Sequence, residues 1–189
     1  MFFTLPTLLT WGRIVAIPLV VGVYYVDGID PFVRNVAGTA LFVLVALTDW
    51  LDGWLARKLN MTSAFGAFLD PVADKILVTA ALLVLVELGR LHALIALVIV
   101  GREIAVSALR EWMAQMGASR SVAVNAFGKA KTIVQMVAIP FLLFHGTLFG
   151  AIDTQAWGTV LVWIAAGLTI GSMVWYLKKA LPEIRARVR

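Results

Sequence analysis

The sequence contains no cysteine, so it can form no disulfide framework and no thiolate metal centre. Its two histidines, His92 and His145, stand too far apart to suggest a local metal motif, which leaves oxygen ligands for any metal the chain holds. Charge is scarce as well: 14% of the 189 residues are charged and 61% are hydrophobic, with a mean hydropathy of +0.93. A soluble domain carries about 25% charged and about 45–50% apolar residues. Too little polar surface remains to face water on all sides, so a bilayer is the expected solvent. No soluble domain and no internal repeat is visible. The net charge of +5 therefore points to anionic lipid head groups and acidic substrates rather than to nucleic acid, for which no soluble basic domain exists.

What the chain does have is long apolar runs. A spanning helix needs about 20 mostly apolar residues at 1.5 Å rise, and six segments qualify, at roughly 8–26, 35–56, 67–88, 91–113, 129–149 and 157–179. They predict an all-α integral membrane protein of six transmembrane helices forming one domain over residues 1–189. Short turns separate them, among them Asp27-Gly-Ile-Asp-Pro31 and Gly89-Arg-Leu-His92. The first charge is Arg13, with apolar residues on both sides, which fits a secretory leader poorly, so the first segment is expected to be retained. Of the 16 lysines and arginines, Arg34 and Arg90 stand alone after the first and third segments. The others fall at the N-terminus, in the second and fourth connections with their flanking helix ends, and in the C-terminal tail. By the positive-inside rule both termini are expected in the cytoplasm. Trp11, Trp112, Trp157 and Trp175 lie near segment ends, where an interfacial belt would place them.

Against this apolar background four carboxylates stand out: Asp49 and Asp52 in the second segment, Asp70 and Asp74 in the third. An intramembrane carboxylate costs about 2.5–3.5 kcal/mol on insertion scales, and four close together would repel one another. On a helix Asp49 and Asp52 share a face, as do Asp70 and Asp74 at i and i+4. Gly53 and Gly66 lie one turn from an acid on each helix and leave room for a ligand to approach. If the two faces meet, four carboxylates converge on one cavity, an arrangement suited to hard divalent cations and phosphate oxygens. Two such ions could align a pyrophosphate, activate an attacking hydroxyl and stabilise a leaving phosphate. Arg57, at the cytoplasmic end of the same helix, can add a charge-assisted bond to phosphate. The competing structural reading is an ion-pair network of the acids with Arg57, Lys58 and Lys75.

The spacing Asp49-x2-Asp52-Gly53-x2-Ala56-Arg57-x8-Gly66-x3-Asp70-x3-Asp74, eight fixed positions over 26 residues, resembles the signature of the CDP-alcohol phosphatidyltransferases. Further stretches are similar to the bacterial branch of that family whose acceptor is sn-glycerol 3-phosphate. They are Pro6-Thr-Leu-Leu-Thr10 with Arg13, Phe65 to Lys75, Arg102-Glu103 with Ser107 to Met113, and Gly128-Lys-Ala-Lys-Thr132 with Gln135-Met136. Many relatives carry Asn just before or after the N-terminal Pro, whereas this chain has Thr4 and Thr7 around Pro6. The resemblance implies a six-helix enzyme of the bacterial inner membrane, commonly a homodimer, with its cavity open to the cytoplasm. It would move the phosphatidyl group of CDP-diacylglycerol to glycerol phosphate, releasing CMP and giving phosphatidylglycerol phosphate. It further implies Asp49, Asp52, Asp70 and Asp74 as ligands of two Mg2+ or Mn2+ ions, and Asp74 as general base. Asp52, Gly53, Ala56, Arg57 and Gly66 would surround the CDP moiety.

An acceptor bearing its own phosphate needs cations distinct from the metals. Arg102 and Arg110 on the fourth segment, with Lys129 and Lys131 opening the fifth, are the candidates. Lys129 and Lys131 differ by about 200° on a helix, so both face inward only if the helix begins after Lys129. Two other functions fit less of the sequence: the same transfer to inositol phosphate, serine or phosphatidylglycerol, and divalent-cation transport through the aspartates. The transporter reading lacks the repeated halves and broken helices usual in such folds. For His92 and His145 an interfacial polar role is expected.

Overall fold

The computed structural model describes residues 5–59, 64–118 and 126–187, without the side chains of 5–9, 49–57, 59, 64, 67, 126, 127, 186 and 187. These residues form six helices: α1 (Leu5–Gly22), α2 (Pro31–Leu59), α3 (Ala64–Glu87), α4 (Ala93–Gln115), α5 (Ala126–Phe144) and α6 (Thr154–Arg187). A single 3-10 turn, Val23–Tyr25, follows α1, and a two-stranded hairpin of Thr147–Leu148 with Ile152–Asp153 joins α5 to α6.

Local chemistry sets the ends. Asp30 caps α2, its Oδ1 accepting from the amides of Phe32 at 2.8 Å and Val33 at 3.3 Å, with Pro31 preset at the first helical position. Asp153 does the same for α6, accepting from Gln155 and Ala156. His92 caps α4, its Nδ1 accepting from the Leu94 amide at 3.2 Å. Gly89 and Gly117 close α3 and α4 with positive φ, and the Arg90 amide reaches Leu85 O while the Ala118 amide reaches Met113 O. Both ends are the six-to-one closure that a left-handed glycine permits.

α6 packs along α5, α1 lies against α2 and α3, and α4 rests on α6. Gly158 makes the first contact close, since a Cβ there would meet Leu142 Cγ at 2.8 Å. The main apolar core gathers Phe42, Leu77, Leu82, Leu85, Ile99, Ile139, Leu142 and Val162, and a smaller cluster of Val106, Met113, Tyr176 and Ala180 joins α4 to α6. Beyond the far end of α3 from Asp70, the Arg90 guanidinium donates to the carbonyls of Leu143 at 2.7 Å and Leu142 at 3.3 Å and to Asn35 Oδ1 at 2.8 Å. It thereby ties the C-terminal end of α5 to α2.

The outer surface is apolar: Val15, Leu19, Leu44, Leu83, Leu97, Ile104, Ile133 and Trp163 are exposed, while Arg13, Arg102, Lys131, Gln135 and Ser172 are buried. Such an inversion suits a lipid surround, where backbone polar groups are satisfied within helices. By length and composition, Pro31–Thr48 and Thr154–Arg185 are each able to cross a bilayer. Trp11, Trp112 and Trp157 are exposed.

Candidate active site

α3 carries the acids whose side chains are described. Asp70 is half-buried, and the hydroxyl of buried Thr10 on α1 donates to its Oδ1 at 2.6 Å. Stacking of Trp11 on Phe65, with ring centroids 6.5 Å apart, holds α1 against the same end of α3. Gly66, one turn before Asp70, is buried, as is Ala73 beside Asp74. Asp74 is half-buried one turn beyond Asp70 and acts electrostatically on the Lys131 ammonium. Asp49, Asp52, Gly53, Ala56 and Arg57 lie on the last turns of α2, and their side chains fall outside the described residues. The expected meeting of the two acid-bearing faces falls outside them too. Among the described residues no group of three or more His, Asp or Glu side chains could hold a metal. Asp70 and Asp74 at i and i+4 nonetheless supply hard oxygen donors on one face, and the fixed Asp70 carboxylate fits a divalent cation.

A second cluster lies where α4, α5 and α6 meet. Lys131 is 2% exposed and ion-paired with Glu103, whose other oxygen lies 3.6 Å from the Arg102 guanidinium. Arg102, 7% exposed, donates to Ser172 Oγ at 2.9 Å, and its guanidinium carbon sits 5.5 Å from the centroid of the Tyr176 ring. Gln135, one turn beyond Lys131, is buried with no hydrogen-bond partner for Oε1 among the described residues. Two buried cations thus share one carboxylate. Asp74 of α3 adds its field at Lys131.

Of the four basic residues expected there, the structure brings Arg102 and Lys131 together. Helix α5 begins at Ala126, so Lys129 and Lys131 are both helical and face apart: Lys131 is buried and Lys129 exposed. Arg110 is exposed, about two turns beyond Arg102, and still acts electrostatically on it. Four residues escaped sequence reasoning: Thr10 as partner of Asp70, Glu103 as partner of Lys131, and Ser172 and Tyr176 on α6 as partners of Arg102. His92 and His145 belong elsewhere, the first capping α4 and the second 2.9 Å from Gln155 Oε1.

Fold and site together define a helical membrane protein with an acid pair close to a buried cation cluster. A family model described as CDP-alcohol phosphatidyltransferase matches residues 3–171. The chain belongs to that family. It is 44% identical over 97% of its length to a CDP-diacylglycerol–glycerol-3-phosphate 3-phosphatidyltransferase of Salmonella choleraesuis (strain SC-B67), covering 98% of that protein. The enzyme of the same name from Escherichia coli (strain K12) is 43% identical over the same shares. A chloroplastic/mitochondrial relative from Arabidopsis thaliana, CDP-diacylglycerol–glycerol-3-phosphate 3-phosphatidyltransferase 1, is 44% identical over 93% of this chain. The chain spans 62% of that relative's length.

Proposed function

We propose that the chain transfers the phosphatidyl group of CDP-diacylglycerol to sn-glycerol 3-phosphate, giving phosphatidylglycerol phosphate and CMP. The observation that carries the reading is the buried Arg102 and Lys131 pair beside Asp74, in a chain 43–44% identical to bacterial relatives of that name. A phosphate-bearing acceptor needs cations apart from the acids that face the pyrophosphate, and this pair provides them. Lys131 and Arg102 hold the acceptor's phosphate, with Arg110 and Lys129 adding to the field at the entrance.

The acceptor hydroxyl attacks the β-phosphorus of CDP-diacylglycerol. Its oxygen forms the new phosphoester bond, the bond from that phosphorus to the bridging oxygen breaks, and CMP leaves with the electron pair. Asp74, one turn beyond Asp70, takes the hydroxyl proton, a general-base role that needs the carboxylate within hydrogen-bond reach of the hydroxyl. Thr10 fixes Asp70 by occupying Oδ1. Asp52, Gly53, Ala56, Arg57 and Gly66 surround the CDP moiety. Two divalent ions, Mg2+ or Mn2+, held by Asp49, Asp52, Asp70 and Asp74 would supply neutralisation of the pyrophosphate and acidification of the hydroxyl.

The chain acts as one domain over residues 1–189, with six helices spanning the bacterial inner membrane, both termini and the site on the cytoplasmic side, and a homodimer as its assembly. CMP release by the purified protein, measured with glycerol 3-phosphate, inositol phosphate, serine and phosphatidylglycerol as acceptors, tests the assignment. Preference for glycerol 3-phosphate is expected. Preference for an uncharged alcohol overturns the acceptor assignment, and metal flux into protein-containing liposomes without CMP release overturns the enzyme reading.

A further inference from the structure

We infer that Ser172 and Tyr176 on α6 are positioning residues for the acceptor, acting through Arg102. The inference rests on the reading that Arg102 and Lys131 receive the acceptor's phosphate. Both α6 residues lie just past residue 171, where the family match ends.

Ser172 is fully buried, and its hydroxyl has a determined orientation. It donates to the Thr169 carbonyl at 2.9 Å, so its single proton is committed and a lone pair faces the Arg102 guanidinium, which donates to it at 2.9 Å. Tyr176, one turn further along, is 2% exposed and lies 5.5 Å from the same guanidinium carbon. Trp175 meets the Tyr176 ring edge to face at 5.1 Å and restricts its tilt. One face of α6 therefore offers a hydroxyl and then a ring to a single cation.

That grip matters because an arginine stem is long and has neighbours that could draw it away. Glu103 adjoins Arg102 in sequence and sits 3.6 Å from its guanidinium, yet is already paired with Lys131. Held by Ser172 and Tyr176, Arg102 stays beside Lys131 and the two cations remain a preformed pair. Released from α6, Arg102 would lose its fixed direction, and the acceptor's phosphate would have to order it on binding. That cost falls on acceptor affinity and not on CDP-diacylglycerol.

The test uses the full chain in lipid nanodiscs, with CMP release measured against glycerol 3-phosphate and CDP-diacylglycerol in turn. Ser172→Ala is expected to raise the KM for glycerol 3-phosphate about tenfold, the loss of one hydrogen bond to a charged group. Tyr176→Leu is expected to raise it about fivefold. Neither moves the KM for CDP-diacylglycerol. Ser172→Thr, which keeps the hydroxyl, and Tyr176→Phe, which keeps the ring, restore the acceptor KM. In an Arg102→Ala background, which itself raises that KM, the two α6 substitutions add nothing further, as expected of residues acting through one side chain.

If both KM values and kcat worsen together, or the effects persist without Arg102, the α6 residues are merely structural and the inference falls. If Arg102→Ala and Lys131→Ala raise the acceptor KM while Ser172→Ala and Tyr176→Leu do not, the positioning role is refuted and the acceptor site stands. If Arg102→Ala leaves the acceptor KM unchanged, the acceptor site is wrong and the inference falls with it.

Discussion

Removing Glu103 should destabilise the protein far more than removing Lys131, although the two form one ion pair. The asymmetry follows from what each deletion leaves behind. Glu103→Gln leaves Lys131, whose side chain is 3% exposed, next to Arg102 at 7% without the carboxylate they share, Asp74 of α3 still acting on Lys131. Breaking a buried pair in this way costs about 3–5 kcal/mol. Lys131→Met leaves Glu103, which is 24% exposed and still has Arg102 at 3.6 Å. That loss approaches the value of a surface pair, at most about 1 kcal/mol. At about 2–4 °C per kcal/mol for a chain of this length, Glu103→Gln lowers Tm by roughly 6–20 °C and Lys131→Met by no more than about 4 °C. Thermal unfolding in nanodiscs of fixed lipid composition, followed by tryptophan fluorescence, reads both. The double variant should unfold closer to the parent than Glu103→Gln alone, because the stranded ammonium is gone. Equal losses for the two single variants, or a greater loss for Lys131→Met, would show that Glu103 does not hold the cation pair together.

Asp70→Asn should abolish CMP release while leaving Tm near that of the parent, since the amide still accepts from Thr10 but no longer binds a hard cation; substantial turnover in this variant contradicts the metal-ligand role. Lys131→Ala should raise the KM for glycerol 3-phosphate much more than Lys129→Ala, because one ammonium is buried in the cluster and the other is exposed; titration of the acceptor against both variants checks the order. Arg90→Met removes donation to Leu142, Leu143 and Asn35 beyond the far end of α3, and should cost about 2–3 kcal/mol of stability with acceptor and CDP-diacylglycerol KM values unchanged. A shift in either KM would mean that this end of the molecule communicates with the site.

The helices were legible where apolar runs stop at charge or at turn residues. Asp30-Pro31 and the glycines at 89 and 117 mark boundaries whose chemistry is entirely local, and α2, α3 and α4 differ from the predicted segments by at most four residues at either end. α5 departs more: it ends at Phe144 rather than 149, because the hairpin that follows is itself apolar, and its turn depends on Gly150 and on positive φ at His145 and Phe149. α6 runs to Arg187, past the expected end at 179, since a helix continues beyond its apolar stretch when its end reaches water. Asp70, Asp74, Arg102 and Lys131 stand out from sequence because a charge in an apolar run demands a reason. Thr10, Ser172 and Tyr176 do not. A small hydroxyl or a phenol is unremarkable in an apolar helix, and only the packing of α1 on α3 and of α6 on α4 decides which one meets a charge. Glu103 was visible as an acid on α4, but its pairing with Lys131 depends on the register of α4 against α5.

These local partnerships share a logic. On α3 two acids stand together, and the neighbour described for Asp70 is a neutral hydroxyl that orients it without neutralising it. Between α4 and α5 two cations share the Glu103 carboxylate, and α6 answers with a hydroxyl and a ring, again neutral. Burying unbalanced charge of either sign is expensive in a low-dielectric interior. In each cluster a neutral group of the protein orients a charged side chain, Thr10 for Asp70 and Ser172 with Tyr176 for Arg102. On the proposed reading further charge of opposite sign arrives from outside, divalent cations for the acids and the acceptor's phosphate for the cations. The order of binding then has an energetic basis. A cation on the acids lowers the field that Asp74 exerts on Lys131, which weakens one of the attractions competing with an incoming phosphate, so metal should tighten acceptor binding without touching the acceptor itself. By reciprocity, glycerol 3-phosphate should tighten metal binding by the same factor. Titration calorimetry of Mg2+ with and without the acceptor measures this directly, and equal metal affinities in the two titrations would mean that the clusters are electrostatically independent.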